Sequence, residues 1–349
     1  MIIASASTAF PGNSYSQSEI TGALQKLWKD KISNPQILTR LHERCGVERR
    51  HLVLKLAEYE NLSCFGEANS IWAESAVSLG SHAVCRALKN AELEPWDVSA
   101  FFFTTVTGVA SPSIDARLMN KLPLRADVKR IPIFGLGCVA GAAGIARAAD
   151  YVRAYPDQVA LLLSVELCSL TWQRDDLSTA NLISSGLFGD GAAAVVIAGA
   201  ETECSGPRII DTRSVFYRNT EDAMGWDVSE SGFGIVLSPA VPSLVEQNLG
   251  RDVDDFLAKH ELTRKDISSW ILHSGGPKVL QAAVTALDLP EDALEASWSS
   301  LREIGNLSSA SVLAVLQQYL EKRGGDPGSY SLLAAMGPGF CSELVLLRW

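Results

Sequence analysis

The sequence predicts an α/β protein built from two similar strand–helix halves, on three observations. Apolar runs at 159–165 (VALLLSV) and 191–197 (GAAAVVI) are continuous rather than alternating, the pattern of strands buried on both faces. Such runs alternate with helical segments, of which the Ala-rich 68–92 is the longest. After Ala198 the alternation begins again, which suggests an internal duplication around layered mixed sheets. The expected division is 1–203 and 204–349, and with no low-complexity linker between them the halves are expected to share one core.

Composition narrows the function classes. The 349 residues are 47% hydrophobic, so a large core is available. Lys and Arg number 30 against 40 Asp and Glu, a net charge of −10 without basic runs, which argues against a nucleic-acid partner. The seven cysteines are scattered, odd in number and free of CxxC pairs, so neither a disulfide framework nor a zinc site is expected, and a reducing cytoplasm fits. The start, MIIASASTAF, has no basic segment of the kind a secretory signal carries, and no apolar run approaches membrane-spanning length.

Taken in order, 1–10 reads as a strand. A helix over 16–31 opens at Ser16 with Glu19 three residues on, a capping-box pattern, and a second helix is expected over 33–44. The basic cluster 44–50 (RCGVERR) is either a solvated turn or a landing site for the phosphates of an anionic carrier. Strand 100–106 (AFFFTTV) follows the long helix, and 118–124 leads to a strand at 131–134. In the second half, 209–216 and 235–237 read as strands, 241–260 as helix and 270–272 as a short buried strand ending at His273. Helices over 277–287, with Pro277 at an early position, and 308–322 precede closing strands at 331–336 and 343–349.

The chemistry centres on 130–150, RIPIFGLGCVAGAAGIARAAD. Gly135 and Gly137 break the strand, and Cys138 stands where the following helix begins. A helix N-terminus favours a thiolate, and small neighbours let another backbone or a substrate approach. Buried cysteines are most often inert small hydrophobes, so a base is needed elsewhere in the chain. His273, between a buried strand and a Gly-Gly-Pro turn, sits where side chains enter a cleft at strand ends. Asn306 (EIGNLSSASVLAVL) reads first as a helix cap. The loop 336–340 (MGPGF) reads as a tight turn or as backbone lining a pocket.

Five pieces in this order, GCVAGAAG around Cys138, LFGDGAAAVV at 187–196, HSGGP at 273–277, GNLSSASVL at 305–313 and GPGF at 337–340, resemble the chalcone synthase-like enzymes. These are the type III polyketide synthases of the thiolase superfamily, and the resemblance covers almost the whole chain. It implies a five-layered αβαβα thiolase-like fold, a homodimer and a Cys138–His273–Asn306 triad. It also implies acyl-CoA and malonyl-CoA as substrates, with no cofactor beyond these thioesters and no metal. By the same resemblance Phe188 matches a gatekeeper between CoA tunnel and cavity, and Ile235, or the nearby Phe233, matches a second. Thr107, Ser111, Cys168, Thr171 and Ser308 match cavity-lining positions, and Gly337, Pro338 and Gly339 match the GPG loop. Arg44, Arg49 and Arg50 are the candidates for CoA phosphates. Cys168 stands where plant chalcone synthases have threonine, and Ser111 where they have a methionine reaching into the neighbouring subunit. Those smaller residues suggest a wide cavity and a fatty acyl-CoA starter giving an alkylpyrone or alkylresorcinol, with a malonyl-primed polyhydroxy-aromatic product as the alternative. Chain and loop lengths resemble bacterial members.

A β-ketoacyl-ACP synthase III-like condensing enzyme would use the same three residue types, but HSGGP and GPG argue against it. HMG-CoA synthase lacks a place here for its acid–base glutamate. A catalytically dead thiolase-fold partner would not be expected to keep Cys138, His273 and Asn306 together.

Overall fold

A computed structural model describes residues 1–32, 34–322 and 325–349. Up to residue 198 it contains strands β1 (Ile2–Ala9), β2 (Asn13–Ser16), β3 (Arg49–Leu52), β4 (Val98–Thr105), β5 (Lys129–Phe134), β6 (Val159–Leu167) and β7 (Asp190–Ala198). The helices of this part are α1 (Gln17–Leu27), α2 (Gln36–Glu43), α3 (Phe65–Asn90), α4 (Ile114–Met119), α5 (Ala140–Ala154) and α6 (Thr179–Leu187). The rest holds β8 (Arg208–Phe216), β9 (Met224–Ser229), β10 (Gly232–Leu237), β11 (Ile267–Leu272), β12 (Tyr330–Gly337) and β13 (Cys341–Arg348). Its helices are α7 (Val241–Ala258), α8 (Pro277–Leu287), α9 (Glu295–Ile304) and α10 (Ser309–Glu321).

The two parts repeat one strand plan. In the first, β5, β4 and β6 run parallel, then β7 and β1 follow antiparallel. In the second, β11 and β12 run parallel, then β13 and β8 follow antiparallel. A single residue pair, Ile2 with Arg208, joins the two sheets edge to edge. Every residue of β4, β6 and β7 is buried, which is why their central residues read as apolar runs rather than as alternating ones.

Helices complete five layers. α3 covers the outer face of the first sheet, in one apolar cluster with Phe101, Leu161 and Val196. α7 and α8 cover the outer face of the second, with Leu272, Leu332 and Leu344. Between the sheets lie α5 and α10, packed on each other through Ala142, Ile145, Val312 and Leu313. The Ala/Gly composition of α5 follows from this position: a methyl on Gly141 would lie 2.2 Å from the Ser309 carbonyl oxygen, so only a bare backbone fits.

Several boundaries differ from the sequence reading. α1 stops at Leu27, and the chain continues in isolated turns such as Lys31 N–H to Trp28 O at 2.9 Å. α2 begins at Gln36 after Pro35, and the expected start at Ser33 lies outside the described residues. The 44–50 segment is not all turn: Arg49 opens β3, which pairs antiparallel with β2. Strands as short and polar as NSYS carry no apolar period to detect. Among the described residues no helix is long and apolar enough to cross a membrane.

Candidate active site

Cys138 sits in a single 3-10 turn, Gly137–Val139, between β5 and α5. Gly135 and Gly137 take positive φ (94° and 55°), which a side chain would resist. The turn is pressed onto the 337–339 loop. A methyl on Gly137 would lie 2.7 Å from Pro338 Cγ, and one on Gly337 would lie 2.6 Å from Val139 N. Gly339 follows at φ 116°. Cys138 is buried, and its thiol donates to Ser308 Oγ at 3.8 Å.

Asn306 lies just ahead of α10. Its N–H donates to Leu187 O at 2.9 Å and its carbonyl accepts Gly189 N–H at 2.9 Å, a parallel bridge across Phe188. Its side-chain oxygen accepts from Ser308 N at 2.7 Å and Ser311 Oγ at 3.3 Å, and Nδ2 donates to Gly275 O at 3.1 Å. The helix itself starts at Ser309 with Ser308 in the cap position, so Asn306 is not the capping residue. Nδ2 carries two hydrogens, and Gly275 takes one. Ser308, between Cys138 and Asn306, has φ 48° and ψ −125°, a conformation held only where its surroundings enforce it.

His273 follows β11, its N–H donating to Ala334 O at 3.0 Å. The turn through Gly275 and Gly276 folds back on the ring. A methyl on Gly275 would lie 3.2 Å from His273 Cδ2 and 3.4 Å from Nε2. The ring is buried and Nδ1 has no hydrogen-bond partner. The structure thus brings the three predicted residues into one continuous path: Cys138 to Ser308, Ser308 to Asn306, Asn306 to Gly275, Gly275 to His273. Burial pushes the Cys138 thiol up to about 12, with the Glu166 charge acting in the same direction, and burial pulls His273 down to about 4. Both shifts favour the neutral forms, thiol and imidazole, at physiological pH.

The chalcone and stilbene synthase family models match this chain, the N-terminal domain over residues 1–202 and the C-terminal domain over 209–349. The chain belongs to that family. It is a type III polyketide synthase, an acyltransferase-type condensing enzyme of thiolase-like fold that works on CoA thioesters without a further cofactor. It is 48% identical over 350 residues to the 1,3,6,8-tetrahydroxynaphthalene synthase of Streptomyces peucetius subsp. caesius, covering 99% of this chain and 93% of the relative. It is 33% identical to the phloroglucinol synthase of Pseudomonas fluorescens, over 97% of each chain. The crystal structure of 1,3,6,8-tetrahydroxynaphthalene synthase from Streptomyces coelicolor superposes with a TM-score of 0.95 at 32% identity, covering 100% of this chain and 99% of that one.

Around these three residues the structure separates the other predicted positions. Thr107, Cys168, Thr171 and Ser308 are all buried. Thr107 donates to Glu166 at 2.9 Å and accepts from Leu167 N at 2.9 Å, so its hydroxyl is committed to the scaffold. Phe188 and Cys168 share one apolar cluster, and Ile235 packs against it. Phe233 instead joins an aromatic group with Phe65 (5.3 Å) and Trp226 (6.0 Å). Ser111 is exposed at the Ser111–Pro112 bond, on the loop after β4. Arg44 and Arg49 are exposed, but Arg50 is wholly buried and cannot meet a phosphate at the surface. Neighbours on β3 point to opposite faces, so Arg49 meets solvent while Arg50 turns inward.

Sequence reasoning missed Glu166, whose signal is a lone acid at the end of an apolar strand. Its carboxylate accepts from Ser309 Oγ, Thr107 Oγ1 and Val106 N. Burial pushes it up to about 7 against the pull of those hydrogen bonds. Below about pH 4.5 the acid is protonated folded and unfolded alike, and above 7 it is ionised in both, with the folded state bearing the burial cost. Its stabilising contribution is therefore lost as pH rises from about 4.5 to 7, by about 3 kcal/mol. Glu166→Gln does not titrate, so its unfolding free energy, measured by urea titration, should gain on wild type across that window. A constant difference between the two from pH 4.5 to 8 would refute this assignment.

Proposed function

We propose that this synthase is primed by a malonyl unit and makes a polyhydroxylated aromatic product, with Cys138, His273 and Asn306 as its catalytic residues. The full-length 48% identity to a tetrahydroxynaphthalene synthase carries the reading, and the relative named for phloroglucinol supports it. The buried wall agrees. A fatty acyl tail gains about 0.8 kcal/mol per methylene only when it leaves water for apolar surroundings. Against Cys138 stands the Ser308 hydroxyl, a polar atom that suits a chain bearing a ketone on every second carbon.

Cys138 Sγ attacks the thioester carbonyl of the priming acyl-CoA and gives its proton to neutral His273. The bond from that carbonyl to CoA sulfur breaks, and CoA leaves as a thiol with the proton from His273. Malonyl-CoA then loses carbon dioxide. The electron pair of the broken C–C bond becomes an enolate, whose oxygen lies against His273 N–H and the free Asn306 Nδ2–H. The enolate carbon attacks the acyl-Cys138 carbonyl and frees the thiolate, and the chain is longer by two carbons. Phe188 and Ile235 wall the passage, the 337–339 loop holds the Cys138 turn, and Arg44 and Arg49 offer the exposed cations for CoA phosphates. Exposed Phe134 and Val109, at the same end of the first sheet as Ser111, suit contact with a second copy of the chain, which sedimentation would show as a species of twice the monomer mass.

Mass spectrometry of products decides the starter. Malonyl-CoA alone should give a polyhydroxylated aromatic as the main product, and added acetyl- to dodecanoyl-CoA should not raise the turnover. Products that form only with an acyl starter, and faster as its chain lengthens, would replace this reading by the fatty acyl-CoA one.

A further inference from the structure

Arg50 is a cation with no part in the chemistry above, and it is wholly buried. A desolvated guanidinium is costly, and burial pulls this one down to about 10. The charge of Asp190 opposes that shift, yet Asp190 gives its own oxygens to Ser169 and to Val53 N–H. The groups that Arg50 does touch are backbone and amide. Nη1 donates to Phe188 O at 2.6 Å and Nη2 donates to Gln17 Oε1 at 2.9 Å, while Nε has no partner. Gln17 Nε2 in turn donates to Gly186 O at 2.6 Å.

The two side chains thus grip the backbone on both sides of Leu187. That segment is the one paired with Asn306: Leu187 O accepts the Asn306 N–H and Gly189 N–H donates to the Asn306 carbonyl. The stem of Arg50 also lies beneath the residue before Asn306. A methyl on Gly305 would sit 3.0 Å from Arg50 Cγ and Cδ and 2.9 Å from Leu187 O. Arg50 therefore touches both partners of the bridge, one with its guanidinium and the other with its methylenes.

We propose that Arg50, braced by Gln17, is a positioning residue that holds the 186–189 backbone against Gly305 and Asn306 and so aims the Asn306 amide. The proposal rests on the reading of Asn306 as the enolate donor. An arginine suits this role because its planar fork reaches two acceptors at once, whereas a lysine is a single point donor on a flexible stem. The backbone turn of Cys138 is seated on the 337–339 loop, and only the Ser308 hydrogen bond links its thiol toward this bridge, so acylation should depend on the bridge far less than decarboxylation does.

The test uses Arg50→Lys, Arg50→Met and, where those fold poorly, the milder Gln17→Ala. Thermal midpoint, malonyl-CoA decarboxylation and acylation of Cys138 by acetyl-CoA (intact-protein mass) are measured for each. A donor misplaced by about 1 Å can lose about a hundredfold in rate. Arg50→Met should approach that loss in decarboxylation kcat, and Arg50→Lys and Gln17→Ala should lose about tenfold, with KM near wild type and acylation within about twofold. In an Asn306→Ala background Arg50→Lys should add nothing, since it acts through the missing amide. Wild-type decarboxylation by Arg50→Lys, a full additional loss in the Asn306→Ala background, or a parallel fall of acylation and decarboxylation would each overturn the proposal while leaving the Asn306 reading intact. Normal decarboxylation by Asn306→Ala alone would overturn that reading, and this proposal with it.

Discussion

Cys138→Ala should form no acyl-enzyme and no polyketide, yet still release carbon dioxide from malonyl-CoA, whereas Asn306→Ala should still be acylated by a starter while losing decarboxylation and, with it, the polyketide. The two steps draw on different atoms. Loading needs the Sγ nucleophile, which the 3-10 turn delivers beside Ser308. Decarboxylation needs donors where negative charge develops, and losing one such donor costs on the order of a hundredfold or more. On the proposed reading Asn306 serves the second step. Its side-chain oxygen is fixed by Ser308 N and its amide by Gly275 O, so the remaining N–H has a set direction. His273→Ala should damage both steps. Carbon dioxide release and intact-protein mass, measured on the same preparations, separate the outcomes. Acylation that persists in Cys138→Ala would place the nucleophile on another cysteine, and normal decarboxylation by Asn306→Ala would reduce that residue to scaffolding.

Gly141→Ala should destabilise the fold by about 3 kcal/mol or more and depress condensation with it. The added methyl would meet Ser309 O at 2.2 Å, Val312 Cγ1 at 2.8 Å and Leu313 Cγ at 3.3 Å. The first of these is backbone and cannot rotate away. Relief requires α5 and α10 to separate where Cys138 and Asn306 lead into them, so the strain reaches the site as well as the core. Gly22→Ala in α1 is the matched control. A methyl there meets nothing within 4 Å, and alanine in a helix interior stabilises by up to about 1 kcal/mol over glycine. Equal unfolding midpoints in urea for the two variants would contradict the packing argument.

The sequence by itself determined the strand–helix alternation, because β4, β6 and β7 are buried on both faces and are therefore mostly apolar. It also determined the cysteine at a strand-to-helix turn and the order of motifs that the family models match. These are local properties, written in neighbouring residues. Tertiary structure alone decided which of the three arginines of 44–50 faces inward. Arg49 and Arg50 differ by one step along β3, and pairing with β2 sets the face of each. It alone placed Ile235 with Phe188 and Cys168 and sent Phe233 to Phe65 and Trp226, since the β9–β10 hairpin must first dock. It alone revealed Glu166 against Ser309 and Arg50 against Phe188, contacts between residues 143 and 138 positions apart. Periodicity reports on the near neighbours of a residue, whereas a buried charge finds its partners only where distant segments meet.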